Sequence, residues 1–206
     1  MSNTKNFIVL TLYTLAYAAA LLALAKTASA HRQQFFMEGH GLEGIHQGLL
    51  AAVVGLSVIG AILRPAWRSI FVVLALLGLL GSIRELNNFL SDALPILGWQ
   101  GPAGLVLIAL AGYTIGSRRR LGQELTTFLR SDALAMLWAG LVITALMAQQ
   151  IGHGEFLQPL LGDDYQPVYK RVIEEVIEAF GYLMIALGTL QTVVRAPRNG
   201  EDADPV

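Results

Sequence analysis

Residues 42–63 read LEGIHQGLLAAVVGLSVIGAIL, an apolar run that carries Glu43 and His46 near its start and no ionisable side chain after them. A helix needs roughly 20 apolar residues to cross a hydrocarbon core of about 30 Å. We therefore predict a membrane-spanning helix with one polar end. Because lipid offers no partners for unpaired backbone groups, a chain built from such segments is expected to fold as a helical bundle.

The composition of the whole chain agrees with this prediction. The 206 residues are 54% hydrophobic and only 14% charged, and the mean hydropathy is +0.56. Soluble domains are about 25% charged, so an ordinary soluble enzyme and a disordered protein are both excluded. A net charge of −1 argues against nucleic acid as a partner. The absence of cysteine excludes disulfides and thiolate metal sites.

The predicted fold is all-α, a polytopic membrane protein with six transmembrane helices in one bundle that occupies residues 1–195. All seven prolines lie between spans or at their edges, as expected because proline interrupts a helix. Residues 196–206 are polar and are predicted to form a disordered cytoplasmic tail. The predicted spans are 7–30, 42–63, 69–90, 102–116, 133–152 and 168–194.

The distribution of Lys and Arg predicts the orientation. If the N-terminus is cytoplasmic, nine cations lie inside: Lys5, Arg64, Arg68, Arg118, Arg119, Arg120, Arg130, Arg195 and Arg198. Four then lie outside: Lys26, Arg32, Lys170 and Arg171. Because cytoplasmic loops are enriched in cations, we predict a multi-pass protein of the bacterial inner membrane with both termini inside and the lipid bilayer as its partner. The stretch 28–30, Ala-Ser-Ala, leaves cleavage after Ala30 as an alternative.

Polar side chains gather at the predicted outer ends of four spans. At 1.5 Å per residue, His46 lies about 9 Å along its helix from His40, and Glu178 about 12 Å from Lys170. A charge at the centre of a span costs about 2.5–3.5 kcal/mol, so these groups are expected to face one another inside the bundle. We predict that these polar side chains form one hydrogen-bonded network. In addition to the metal ligands named in the next paragraph, it contains His40, Arg84, Asn88, Gln149, Arg171 and Glu174.

This pattern predicts a metal site. Glu43 and His46 are three residues apart, as are Glu175 and Glu178, so each pair lies on one helix face. Carboxylate and imidazole ligands suit iron, manganese or zinc. The function predicted from such a site is a metal-dependent oxidase or hydrolase that acts on a lipid-soluble or periplasmic substrate. The predicted ligands are Glu43, His46, Glu85, His153, Glu175 and Glu178.

The pattern of ligands contributed by four helices resembles that of the ferritin-like di-iron and di-manganese carboxylate bundles. That family has two Glu-x-x-His pairs, whereas this chain has the single pair of Glu43 and His46. The resemblance is confined to the six predicted ligands, and the chain is not assigned to the family on this basis.

Three other interpretations stay open at the level of sequence. In the first, the chain is a non-catalytic membrane protein whose acid–histidine–arginine network is structural or binds a partner. Glu178 and Glu85 relay ions or protons in the second. His46 and His153 are the axial ligands of a b-type haem in the third.

Overall fold

The computed structural model describes residues 41–148 and 161–197, together with positions 11–13, 15, 19, 23, 26, 150, 158 and 159. Helix dominates throughout these residues, and none of them lies in a β-strand. The prediction of an all-α fold is confirmed. Most of the predicted first span, the end of the predicted fifth span, and the tail from residue 198 onward lie outside the described residues.

Seven α-helices follow one another from residue 41 in the described part of the chain. They are α1 Gly41–Leu63, α2 Arg68–Glu85, α3 Asn87–Ala93, α4 Gln100–Gly116, α5 Arg118–Phe128, α6 Asp132–Val142 and α7 Pro167–Arg195. A short 3₁₀ turn, Pro65–Trp67, joins α1 to α2. Pro167 is the first residue of α7, a position where proline costs no hydrogen bond.

Helices α1, α2 and α7 form the centre of the bundle. Helix α1 packs against both others, α7 also packs against α6, and α2 packs against α4. The ring of Phe71 is fully buried, and a Cβ on Gly60 would lie only 2.5 Å from it. Gln47 of α1 donates to the carbonyl oxygen of Ser82 on α2 at 2.9 Å. Small residues and interhelical hydrogen bonds are the usual means by which membrane helices associate.

Three helical segments are long and apolar enough to cross a membrane: Gly41–Leu63, Pro65–Glu85 and Pro167–Arg195. A fourth span results if α5 and the helix that follows it, Asp132–Ala148, are taken together, although they are bent by 101°. Helix α4 is apolar but shorter. By length and composition, the described residues thus supply three to four candidate spans, as expected of a membrane protein. The count of six spans stays a prediction.

Two predicted spans are less regular than expected. The third, predicted over 69–90, ends as a helix at Glu85, and a separate helix begins at Asn87 after a break at Leu86. The fifth, predicted over 133–152, changes from α-helix to π-helix at Ile143–Ala148. The break at Leu86 ends α2 beside the predicted site, and residues on both sides of it, Glu85 and Asn88, line the same cavity.

The end of the bundle away from the predicted site is held by α5. Glu124 is buried and accepts hydrogen bonds from the backbone N–H groups of Ser69 and Ile70, at 2.7 and 3.1 Å. It therefore satisfies donors in the first turn of α2 that have no partner within their own helix. Arg120 donates to the same carboxylate at 2.7 Å. Trp67 donates to Thr127 at 3.1 Å and is buried rather than exposed at a membrane interface.

The chain after α7 begins inside the core. Ala196 is only 3% exposed and packs in the cluster that contains Trp67, Phe71 and Leu137. The predicted disordered tail starts at this residue, and its remainder from residue 198 lies outside the described residues. Arg195 pairs with Asp132, which also ties the end of α7 to the start of α6.

The close approach of α7 to residues 140–144 at Gly181 predicts that a larger side chain there lowers the stability of the protein. A Cβ on Gly181 would overlap Thr144 Oγ1 and would lie 3.0 Å from the carbonyl oxygen of Gly140. Overpacking of this kind costs about 1–3 kcal/mol. We expect Gly181→Ala to lower the melting temperature of the detergent-solubilised protein.

Gly48→Ala is the matched control, because nothing lies within 4 Å of the Cβ that it would introduce. Its melting temperature should stay the same or rise, since alanine favours helix. Equal melting temperatures for the two variants would contradict the packing of α6 against α7.

Candidate metal centre

His46 is the most buried polar side chain of the site, with no exposed surface. It lies in the second turn of α1, where Leu42 packs the start of that helix against Val172 and Val176 of α7. Its ring extends between α2 and α7. The Nε2 atom is 3.1 Å from the backbone oxygen of Glu175, and the Nδ1 atom is 3.1 Å from Oε2 of Glu85.

These two contacts constrain the protonation of the ring. A carbonyl oxygen can only accept, so Nε2 carries the hydrogen and donates it to Glu175. In the neutral imidazole, Nδ1 is then a bare acceptor. It nevertheless faces carboxylate oxygens of Glu85 at 3.1 Å and of Glu175 at 3.8 Å. Acceptors do not face each other at such distances without a cation between them, which is either a proton or a metal ion.

Glu85 is held from two sides. Tyr182 donates its hydroxyl to Oε1 at 2.8 Å, while Oε2 faces His46. The rings of Tyr182 and His46 also meet edge to face, with centroids 5.2 Å apart. Glu85 is the last residue of α2, where the helix dipole disfavours a carboxylate. A buried acid at that position therefore needs compensating positive charge.

Glu178 completes the cluster from α7. It is 4% exposed, and Arg84 donates to its Oε1 at 3.0 Å. One potential ligand atom each from His46, Glu85 and Glu178 lies within 4.8 Å of the others. The three side chains come from α1, α2 and α7, which are the same helices that form the centre of the bundle.

A polar cavity of about 430 Å³ opens beside this cluster. The ionisable side chains that line it in the described part of the chain are five carboxylates and three cations: Glu43, Glu85, Glu174, Glu175, Glu178, Arg84, Lys170 and Arg171. Asn87 and Asn88 also line it. Acidic groups exceed basic ones by two in this set, and a carboxylate buried without compensation is costly.

The structure brings together five of the six ligands predicted from the sequence. His46, Glu85 and Glu178 form the inner group, Glu175 contacts His46, and Glu43 lines the cavity. Of the predicted supporting residues, Arg84 pairs with Glu178, and Asn88, Arg171 and Glu174 line the cavity. The remaining predicted residues lie outside the described residues: His153, His40 and Gln149.

Tyr182 was not among the predicted site residues, yet it bonds directly to Glu85. The signal was available in the sequence, because Tyr182 follows Glu178 by four residues and therefore shares its helix face. The hydroxyl of a tyrosine buried in a membrane bundle needs a polar partner.

Comparison of the chain with protein-family models, with curated proteins and with solved structures found no match.

The hydrogen bond from Tyr182 gives a direct test of the geometry of the site. Tyr182→Phe leaves an oxygen of Glu85 without its donor, and bonds to charged acceptors contribute about 1.5–3 kcal/mol. We expect a lower free energy of unfolding, measured by denaturant titration in mixed micelles. Tyr113→Phe on α4 is the matched control and should behave as the wild type. A Tyr182→Phe variant as stable as this control would show that the bond to Glu85 does not form.

Proposed function

We propose that the chain is a membrane metalloprotein that binds one divalent cation between His46, Glu85 and Glu178. The observation that carries this proposal is the geometry of the His46 ring. Its Nε2–H donates to the backbone oxygen of Glu175 at 3.1 Å, and its Nδ1 faces Glu85 at 3.1 Å. Metal-binding histidines commonly donate their second ring N–H to a backbone carbonyl in this way.

The distances and charges suit a metal ion. Two ligands about 2.1 Å from one ion lie about 3.0 Å apart at a right angle and about 3.4 Å apart at the tetrahedral angle. The 3.1 Å between His46 Nδ1 and Glu85 Oε2 lies between these values. A divalent cation would also offset the excess of two carboxylates among the described residues of the cavity. Glu175, whose Oε2 is 3.8 Å from the same nitrogen, is a further ligand after a small rotation of its side chain.

The ligand set and the cavity together suggest catalysis. One imidazole with carboxylates suits iron, manganese or zinc. Closed structural sites fill all coordination positions with protein ligands, whereas catalytic sites keep one open. Three ligands beside a cavity of about 430 Å³ leave room for water and substrate. We propose a metal-dependent oxidase or hydrolase, in which the metal supplies Lewis-acid or redox chemistry and Arg84 orients Glu178.

The haem alternative is disfavoured by the same ring. Both nitrogens of His46 are engaged, one with a backbone oxygen and the other with carboxylates. An axial haem ligand needs one nitrogen directed at an iron within a mostly apolar pocket.

The proposed setting is the bacterial inner membrane, with six spans and both termini in the cytoplasm. The support is the excess of Lys and Arg on the proposed inner side. The metal site then lies toward the periplasm, since the residues around it belong to the start of α1, the end of α2 and the start of α7.

A structural network is the second candidate. The observation in its favour is the pairing of Arg84 with Glu178 at 3.0 Å, which already neutralises one carboxylate. In that case a proton rather than a metal lies between His46 and Glu85, and the cluster serves only to join three helices.

Metal content separates the two candidates. We expect protein purified without chelator to carry close to one equivalent of iron, manganese or zinc, measured by plasma mass spectrometry. His46→Ala, Glu85→Gln and Glu178→Gln should each remove it, because loss of one of three ligands leaves too few donors. Glu174→Gln is the matched control, since Glu174 lines the cavity but lies outside the group of three.

A structural network gives a different result. The wild type then binds no metal even after incubation with each ion, while the same three variants lose stability. That outcome would remove the metalloprotein proposal and the enzymatic chemistry built on it.

The absence of cysteine makes the orientation directly measurable. We expect Asp163→Cys to react with a membrane-impermeant maleimide in intact spheroplasts. Ser131→Cys should react only after the membrane is permeabilised, because it lies at the arginine-rich end of the bundle. Reversed labelling of the two positions would overturn the proposed topology and move the metal site to the cytoplasmic side.

A further inference from the structure

A second cavity lies on the other side of Arg84 and Tyr182. Its volume is about 580 Å³, well within the range of about 300–1,000 Å³ for ligand sites. Apart from Arg84, Thr144 and Tyr182, its lining in the described residues is made of apolar side chains and glycines. On α2 the lining extends from Leu74 to Arg84, which is about 15 Å at 1.5 Å per residue. The cavity is therefore long as well as apolar.

Within the described residues, one side of this cavity is open. Four of its lining residues stay substantially exposed: Leu77 46%, Leu107 49%, Trp138 63% and Leu141 49%. They lie on α2, α4 and α6, helices whose apolar outer surfaces face lipid in a membrane protein. A molecule dissolved in the bilayer can thus enter sideways without crossing water.

The polar end of the cavity meets the metal centre. Arg84 lines both cavities, and Tyr182 lines the apolar one while it donates to Glu85. The side chain of Arg84 is 46% exposed, and its Nη2 donates a hydrogen bond to Glu178. Since a guanidinium has five N–H donors, others remain for a ligand.

We propose that the apolar cavity binds the hydrocarbon chain of a bilayer amphiphile whose anionic head group, a carboxylate or a phosphate, reaches Arg84 and the metal centre. This inference rests on the proposed function and names its substrate class. The length of the cavity and its lateral opening suit the chain, and the single arginine at its end suits the head group.

The head group and the metal are expected to bind together. Without a cation, the excess of carboxylates around Arg84 repels an anion, whereas a bound divalent ion removes that excess. Each ligand then raises the affinity for the other, as binding linkage requires.

Photo-crosslinking tests the proposal on the full chain in phosphatidylcholine nanodiscs. The probe is palmitic acid with a diazirine near the end of its chain, added to metal-loaded protein, and mass spectrometry identifies the labelled residues. We expect labelling of cavity residues such as Leu107 and Trp138. Unlabelled palmitic acid or lysophosphatidic acid should reduce this labelling by competition. Stronger competition by palmitic acid indicates a carboxylate head group, and stronger competition by lysophosphatidic acid indicates a phosphate. Hexadecanol, which lacks the charge, should compete at least about tenfold less well, as expected for a lost charge-assisted hydrogen bond.

Two variants test the two ends of the cavity. Ala145→Trp places a large ring in the cavity from an exposed position on its wall and should abolish labelling. Ala52→Trp, at an exposed position of α1 outside this lining, should label as the wild type. Arg84→Gln should remove the preference for palmitic acid over hexadecanol while chain labelling persists.

The metal content of each sample keeps the two proposals separate. Protein that carries metal but labels uniformly over its lipid-facing surface, or labels equally in Ala145→Trp, overturns the substrate proposal and leaves the metal site standing. Protein that labels in the cavity without any metal supports lipid binding and removes the proposed metal dependence. Equal competition by palmitic acid and hexadecanol overturns the assignment of an anionic head.

Discussion

The arrangement of the site depends on the hydrogen bond from His46 Nε2 to the backbone oxygen of Glu175. This contact joins the second turn of α1 to α7 and directs the other ring nitrogen at Glu85 on α2. Because a bare nitrogen cannot stably face two carboxylates, either a proton on Nδ1 or a metal ion has to lie between the ring and Glu85. The position of that cation follows from the packing of α1, α2 and α7 and requires no flexible loop.

The two ends of the bundle are stabilised by different means. At the site end, acidic groups exceed basic ones among the described residues, and α2 ends on a carboxylate. At the opposite end, Glu124 accepts hydrogen bonds from the backbone N–H groups of Ser69 and Ile70 and from the Ser69 hydroxyl. The Arg120 guanidinium also donates to it and balances its charge. Both ends contain a buried glutamate, but the one at the site end lies beside a cavity whose described lining has two more carboxylates than cations. This difference is the physical reason to assign function to one end and structure to the other.

The sequence predicted the helical class and the end of the bundle at which ionisable side chains gather, because long apolar runs and the positions of ionisable residues determine both. It also predicted that Glu43 and His46 share a face with each other. It assigned His46 and Glu85 to one site but could not predict that they contact each other directly at 3.1 Å, since that contact depends on the rotation and depth of two helices. The capping of α2 by Glu124 was missed for the same reason. The break at Leu86 had a weak local signal in Asn87 and Asn88, whose side chains compete with helical backbone bonds.

The most direct test of the account is the position of a bound ion. Crystals of the protein soaked with Mn²⁺ should give one strong anomalous difference peak, within about 2.0–2.2 Å of His46 Nδ1 and of carboxylate oxygens from Glu85 and Glu178. A map at the same wavelength with no peak between these helices, and with His46 bonded directly to Glu85, would contradict it. The cluster would then be an ion-paired network that holds three helices together.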